Sequence, residues 1–311
     1  MKVCFCGLGS IGRRHLLNLN NIASELNINL EIHALRKTER VLEDEIYNLI
    51  SKQMTDESML DNDYDIVFIT NPTSMHYDTM KAMAGKTKNM FIEKPVFDGK
   101  EYCAKALKLN QDGVYYVAGP LRFSAVIQKL KEIILAENIY CVRVICSSYL
   151  PDWRPNVDYR LVYSARKDQG GGVAIDLIHE WDYIIYLFGF PQNVYRICGK
   201  YSHLEIDSED LAVYIAGYKN KVVELHLDYF GRGSRREIEI FTNSGNIKGD
   251  LIKNTLTFSD NREQIHFDEV NNDIYLNEMR FFIDNILKKN NFNNIHHCNA
   301  VLNIALGKEM V

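Results

Sequence analysis

Six residues near the start of the chain constrain its fold more than any other feature. Gly7-Leu8-Gly9-Ser10-Ile11-Gly12 follows the apolar stretch Lys2–Cys6 directly and runs into a segment carrying Leu16, Leu17 and Leu19. A strand that stops at glycine and resumes as an amphipathic helix places G-x-G-x-x-G in a strand–turn–helix context. The first glycine permits a tight turn, the second lets a pyrophosphate approach the backbone, and the third lets the helix pack close on the strand. The start of a helix also carries N–H groups without intrahelical partners. Gly7, Gly9, Ser10, Ile11 and Gly12 are therefore candidate dinucleotide-binding positions.

The pattern downstream continues the same architecture. Strands at Leu30–Leu35, Asp65–Thr70, Asn89–Ile92 and Val114–Val117 alternate with helices expected at His76–Ala84 and Gly99–Leu109. Such alternation gives a parallel, doubly wound α/β sheet, whose ligands bind beyond the carboxyl ends of the strands. Three of those ends carry chemistry. The second strand closes on Arg36-Lys37-Thr38, where an NAD-selective fold usually has a carboxylate. Two cations and a hydroxyl suit a 2′-phosphate, so NADP is favoured over NAD. The third strand ends in Asn71-Pro72-Thr73-Ser74, whose hydroxyls are expected to cap the helix that follows. The fourth delivers Glu93-Lys94-Pro95, with proline ending the ladder.

Beyond Gly119-Pro120 the character changes, which sets the expected domains at 1–119 and 120–311. A helix over Phe123–Glu137 precedes a strand over Tyr140–Tyr149, then a loop holding Trp153, Arg154, Tyr159, Arg160 and Tyr163. Extended runs at Leu211–Tyr218, Lys221–Phe230 and Arg235–Thr242, with a turn at Asn243–Asn246, read as an α+β layer with a large, mostly antiparallel sheet. Glu224, His226 and Asp228 share one strand face and Val223, Leu225 and Leu227 the other, so one face is open to water or to a polar subunit interface. Helices at Ile274–Lys288 and Asn299–Glu309 close the chain and could pack back on the first domain, with Lys288–Asn294 a polar connector.

Between these regions Gly170-Gly171-Gly172 leads into an apolar helix expected over Val173–Leu187. Asp176, His179 and Asp182 are spaced three apart and fall on one helical stripe, with Glu180 beside them. Polar groups in so apolar a helix are costly unless paired or used. They form either a salt-bridge network or an acid/base histidine oriented by a carboxylate.

Composition narrows the function classes. A net charge of −5 with no long basic run argues against a nucleic-acid surface. No apolar run reaches the ~18 residues of a membrane helix, and the opening apolar stretch is too short for a signal peptide. Seven cysteines at irregular spacings suit a reducing, cytoplasmic setting. His296-His297-Cys298 does not read as a metal site, because adjacent side chains diverge, and no metal is expected.

Together these motifs make the chain resemble the Gfo/Idh/MocA family of oxidoreductases, named for glucose–fructose oxidoreductase and inositol dehydrogenase. The resemblance spans essentially the whole chain and rests on Gly7–Gly12, Thr70-Asn71-Pro72 with His76, Glu93-Lys94-Pro95, Arg122-Phe123 and Gly170–Asp182. It implies an N-terminal Rossmann domain and a C-terminal α+β domain whose sheet forms a homodimer or homotetramer. It implies that Asn71, Pro72 and His76 serve the cofactor, that Glu93 lies near the nicotinamide ribose, and that Lys94 lies beside nicotinamide and substrate. His179 matches the family's catalytic histidine. The family usually has three residues between Asp and His, whereas only Leu177 and Ile178 intervene here, so Asp176 is one out of register. An Asp-x-x-His-Glu subset among sugar enzymes of surface-polysaccharide pathways is similar, as is Tyr149–Pro155 with Tyr159-Arg160. The implied activity is hydride transfer between nicotinamide C4 and a secondary hydroxyl or keto carbon of a sugar or sugar derivative, acidic or nucleotide-linked. Lys94 and His179 would handle the proton, with Arg122, Trp153, Arg154, Tyr159, Arg160 and Asp182 against the substrate. The family also implies two alternatives: a non-catalytic dinucleotide sensor, or a cofactor-retaining enzyme with no net redox change.

Overall fold

A computed structural model of the protein describes residues 1–37, 41–99, 102 and 104–308. Thr38, parts of the expected helix over 99–109, and Glu309 lie outside them. The chain divides into two compact units: Met1–Ala118 with Tyr275–Asn299, and Gly119–Ile274 with the described residues from Ala300 onward.

The elements follow the chain as β1 (Lys2–Cys6), α1 (Ser10–Glu25), β2 (Glu31–Leu35), α2 (Asp44–Tyr47), β3 (Lys52–Met54), β4 (Ile66–Ile69), α3 (His76–Met83), β5 (Asn89–Ile92) and β6 (Val114–Val117). Then come α4 (Ala125–Ile133), β7 (Ile139–Tyr149), α5 (Val173–Asp176), α6 (Ile178–Phe188), β8 (Asn193–Gly199), β9 (Leu211–Gly217), β10 (Val222–Asp228) and β11 (Phe230–Thr242). The chain closes with β12 (Gly245–Asp250), β13 (Thr255–Phe258), β14 (Ile265–His266), α7 (Asp273–Leu287), β15 (Phe292–Asn293) and α8 (Ile295–Ala305).

The first unit holds a seven-stranded sheet in the order β15-β6-β5-β4-β1-β2-β3, with every neighbouring pair parallel. Its central strands are buried along their length because helices must cross over both faces of a parallel sheet. Phe5, Phe68 and Phe91 stack across β1, β4 and β5, and Phe282 of α7 meets Phe91 edge-on at 5.3 Å. The strand order reverses between β1 and β4, so the loops leaving β1, β4 and β5 share the crevice where such sheets take ligands.

Four local expectations are corrected in this unit. The expected helix over 99–109 is, among the described residues, a single 3-10 turn at Ala104–Leu107. Thr73 and Ser74 do not cap α3: they lie inside a 3-10 turn, Thr73–Met75, and neither that turn nor α3 has a side-chain cap. The connector after α7 contains a strand, β15, beside β6. There the Asn294 side chain accepts the Val117 N–H at 2.7 Å and donates to the Val117 carbonyl at 3.1 Å. Asn293 accepts the Ile295 N–H at 3.0 Å, which opens α8 four residues before the expected Asn299.

The second unit holds an eight-stranded sheet in the order β14-β13-β12-β11-β7-β10-β9-β8, antiparallel except for the β10–β7 pair. The expected fold class, a parallel α/β sheet plus a mostly antiparallel sheet with helices, is what the structure has. Helices cover one face. Val126 and Leu130 of α4 press on Gly249 of β12, and Trp181 of α6 meets Tyr214 of β9 edge-on at 5.2 Å. Val223, Leu225 and Leu227 are buried while Glu224 and His226 are partly open. Asp228 departs from that alternation: it is buried and accepts the backbone N–H groups of Phe230 and Gly231 at 3.0 and 2.7 Å, turning the chain into β11. β11 is one long strand from Phe230, with a register shift before Arg235. Among the described residues no helix is long and apolar enough to cross a membrane, and no disulfide joins the described cysteines.

Candidate functional site

In the first unit, β1 is followed at once by Gly7 at φ 102°, and a Cβ there would lie 2.8 Å from the Asn71 backbone. A Cβ on Gly12 would lie 2.6 Å from the Gly7 carbonyl oxygen, so the first and third glycines are packing requirements. Gly9 differs. A Cβ there would meet nothing within 4 Å, and both Gly9 and Ser10 are exposed. α1 begins without a side-chain cap and without an acidic residue in its first turn. Uncapped amides, the positive end of a helix dipole and open space above a glycine fit the pyrophosphate of a dinucleotide. The Thr70 hydroxyl donates to the Gly7 carbonyl at 2.7 Å and ties the end of β4 to this loop.

The neighbouring strand ends add side chains. Arg36 donates to Gln53 Oε1 at 2.9 Å through its guanidinium, and Lys37 is exposed. Asn71 donates to Thr79 Oγ1 at 2.7 Å, while its own Oδ1 is buried without a hydrogen-bond partner among the described residues. His76 is buried, with Nε2 3.0 Å from the Asn71 carbonyl and Nδ1 3.1 Å from the Pro95 carbonyl. Its ring thus pins the turn after β4 to the loop after β5. Burial pulls its pKa down, and the carbonyl contacts only partly oppose this. Glu93 is buried, with Oε1 2.5 Å from His15 Nε2 and Oε2 accepting the Lys94 N–H at 3.1 Å. Burial alone would raise the Glu93 pKa, but the His15 hydrogen bond and the Lys94 charge hold it below the usual carboxylate value. Lys94 itself is half-buried.

His15 is a residue the motif reading passed over. It lies on the buried stripe of α1 with Leu16, Leu19 and Ile22. An imidazole on such a stripe needs a buried partner, and that need was the available signal.

In the second unit the expected single helix is broken. α5 stops at Asp176, Leu177 leaves helical geometry at φ −97° and ψ 28°, and α6 starts at Ile178. Asp176 and His179 therefore do not share one continuous helical face, which corrects the stripe expected from their spacing. Each polar residue has a distinct neighbour instead. Asp176 Oδ2 accepts the Tyr229 hydroxyl at 2.5 Å, and the Tyr163 hydroxyl also faces this carboxylate. Glu180, fully buried, has Arg236 Nε 2.7 Å from its Oε1, with Cys146 and Tyr183 alongside. Burial and the Glu180 charge push the Cys146 thiol up to about 12. Asp182 takes a two-pronged pair from Arg122, Nε to Oδ2 at 2.7 Å and Nη2 to Oδ1 at 2.6 Å. His179, the candidate base, is half-buried at the start of α6.

The aromatic loop supplies a separate wall. Trp153, Arg154 and Tyr159 line one small pocket with Val157, Val162 and Ser164. Trp153 donates to Ser148 at 2.9 Å and lies edge-on to Tyr229 at 5.2 Å. Arg160 is turned to Asp158 and Glu205, at 2.8 and 2.7 Å. Tyr229 and Arg236 were not legible from motifs as the partners of Asp176 and Glu180. Both end apolar strand faces, Tyr229 after Leu225 and Leu227, Arg236 before Ile238 and Ile240. A hydroxyl or cation in that position has to find a buried acceptor.

Comparison with known proteins agrees with this geometry. The family model described as "Oxidoreductase family, NAD-binding Rossmann fold" matches residues 1–114, and the Gfo/Idh/MocA C-terminal domain matches residues 127–248. Myo-inositol 2-dehydrogenase of Thermotoga maritima is 26% identical over 313 residues, covering 92% of this chain and 88% of that protein. A levoglucosan dehydrogenase solved with NADH and levoglucosan superposes with a TM-score of 0.82 at 18% identity, over 98% of this chain and 95% of that one. UDP-N-acetylglucosamine 3-dehydrogenase GnnA from Acidithiobacillus ferrooxidans gives 0.75 at 20% identity, over 99% and 96%.

Proposed function

Because this chain belongs to the Gfo/Idh/MocA family of NAD-binding oxidoreductases, we propose that it transfers a hydride between nicotinamide C4 and a secondary hydroxyl or keto carbon of a sugar or sugar derivative. The observation that carries the reading is Lys94. It stands half-buried where β5 ends, two strands from the glycine loop in the same sheet, on a backbone held by the buried Glu93 carboxylate. The names of the relatives, dehydrogenases of inositol, levoglucosan and a nucleotide sugar, support a ring polyol as the substrate class.

The nicotinamide, when bound, supplies the hydride chemistry. The residues of this chain bind the dinucleotide and manage the proton. Gly9, Ser10 and Ile11 offer backbone N–H groups to the pyrophosphate. Arg36 and Lys37, standing where an NAD-selective fold usually has a carboxylate, suit a 2′-phosphate and favour NADP. As a carbinol is oxidised its oxygen gains negative charge and its proton must leave. Lys94 donates a hydrogen bond to that oxygen, and His179 takes the proton. Asp176, held by Tyr229, supports the histidine end of the site. Trp153, Arg154 and Tyr159 form the substrate wall, where a single arginine suits an acidic or nucleotide-linked sugar. Arg122 and Asp182, paired with each other, and Arg160, paired with Asp158 and Glu205, are the remaining candidates for substrate contact. The partner is thus a small molecule, with no nucleic acid or membrane required. A second copy would dock on the open sheet face that carries Arg143, Glu224, His226, Arg235 and Lys248. The irregular spacing of the seven cysteines suits a reducing, cytoplasmic compartment.

Fluorescence titration with NADPH and NADH, followed by a panel of sugars, uronic acids and nucleotide sugars, tests the reading. Tighter NADPH binding and turnover of one sugar class are expected. Binding of neither nucleotide overturns it. Nucleotide binding without turnover of any sugar supports the sensor, and cofactor that survives purification supports the retaining enzyme.

A further inference from the structure

We propose that His15 is a positioning residue of the nucleotide crevice: it holds Glu93 as a fixed anion beside Lys94, and that charge makes the crevice favour the oxidised nicotinamide over the reduced one. The inference rests on the proposed reading that the nicotinamide ring lies against Lys94.

The geometry of the pair sets its charge. His15 is fully buried, with Nε2 2.5 Å from Glu93 Oε1. Its other nitrogen, Nδ1, is also buried and has no hydrogen-bond partner among the described residues. The rings of Phe91, Phe68 and Tyr275 surround it, with centroids 4.6, 6.3 and 6.3 Å away. A proton on Nδ1 would be a buried donor without an acceptor, which is costly, whereas a proton on Nε2 meets the carboxylate. The arrangement is therefore a neutral imidazole N–H donating to an ionised Glu93. The second carboxylate oxygen accepts the Lys94 N–H, so both oxygens are tied and the anion cannot turn away.

A neutral partner has a consequence that an arginine or lysine partner would not. It fixes the carboxylate without cancelling its charge. The charged and titratable groups facing Glu93 are His15 from α1, Lys94 from its own loop, His76 from α3 and Tyr275 from α7. Arg14, over the Tyr275 ring at 4.5 Å, and Glu278 act on Tyr275 in turn. An oxidised nicotinamide brought against Lys94 would set two positive charges together, and Glu93 offsets that repulsion. The reduced ring is neutral and gains nothing from the anion.

The test measures dissociation constants for NADP⁺ and NADPH, with NAD⁺ and NADH in parallel, between pH 5.5 and 8.5. It compares the intact protein with His15→Phe, His15→Gln and Glu93→Gln. In His15→Phe the buried carboxylate loses its donor and protonates at higher pH. Affinity for the oxidised form is then expected to fall about tenfold near pH 6 and to recover toward pH 8.5. Affinity for the reduced form should change far less. His15→Gln keeps a donor and should stay flat with pH, while Glu93→Gln should lose the preference at every pH. Equal weakening of both forms at all pH values in His15→Phe would mean a packing role and overturn the proposal. An unchanged preference in Glu93→Gln would overturn it even if His15→Phe does not fold. If the intact protein binds neither nucleotide form, the functional reading itself falls and the inference with it.

Discussion

In the parallel sheet β4 and β6 are buried from end to end and β5 beyond Asn89, and the candidate binding groups lie at the carboxyl termini of these strands and of β1. In the mixed sheet the strands alternate, and polar side chains reach out to distant partners: Tyr229, in the step between β10 and β11, reaches Asp176, and Arg236 reaches Glu180 from β11. The first site is made mainly of backbone, meaning a glycine turn, an uncapped helix start and two loops pinned by His76. The second is made of long-range side-chain pairs. A backbone-built site can lose a functional side chain and remain folded. A pair-built site ties function to stability, because removing one member strands the other in a buried place.

The largest effect that would break this contrast concerns Lys94. Lys94→Ala should lower turnover by roughly a thousandfold or more while melting temperature and nucleotide affinity stay close to the parent. Steady-state kinetics beside calorimetry would check it, and a large drop in melting temperature would erase the distinction. In the second unit, Glu180→Gln should lower stability by about 3–5 kcal/mol by leaving Arg236 without its counter-charge, as read from chemical denaturation. The double variant Glu180→Met/Arg236→Met should recover much of that loss. A smaller effect separates the units by pH. Asp210 is buried and accepts from the Ser202 hydroxyl and from the N–H groups of Tyr201 and Ser202, at 2.6, 2.7 and 3.0 Å. Burial opposes its charge, but these bonds hold its pKa below the usual carboxylate value. Its contribution is therefore full above the unfolded pKa of 3.8 and disappears as pH falls through the lower folded value. Asp210→Asn should be about 1–3 kcal/mol less stable than the parent near neutral pH, with the gap closing below pH ~4. The smallest stability change belongs to Gly9→Ala, within about 0.5 kcal/mol since the site is open. The same variant should weaken nucleotide binding about tenfold, because the added methyl stands where the backbone is expected to meet the pyrophosphate.

The same contrast explains what the sequence could and could not reveal. Strand runs such as Ile66–Ile69 and the glycine spacing are local signals, so five strands of the first sheet and the loops that leave them were legible, while the three-residue β3 was not. β15 was not, since two residues in an asparagine-rich stretch carry no periodicity, and the sheet edge alone makes them a strand. Leu177 has no helix-breaking chemistry, so the break between α5 and α6 left no trace in the pattern. Tyr229 lies 53 residues from Asp176 in sequence, and no spacing rule connects them. His15 was readable in principle as a lone imidazole on an apolar stripe three residues past the last fingerprint glycine.

Asn294 gives the chain's late segment a protective role. Its amide pairs with both backbone groups of Val117, as a further strand residue would, and β15 covers the rest of β6. An outermost strand with unmatched N–H and C=O groups is a template for other chains. Here Phe292 to Asn294 seals that margin with three residues and one side chain. The segment after α7 thus serves as a hem for the sheet, and a chain cut before it would present a raw, apolar border to its neighbours.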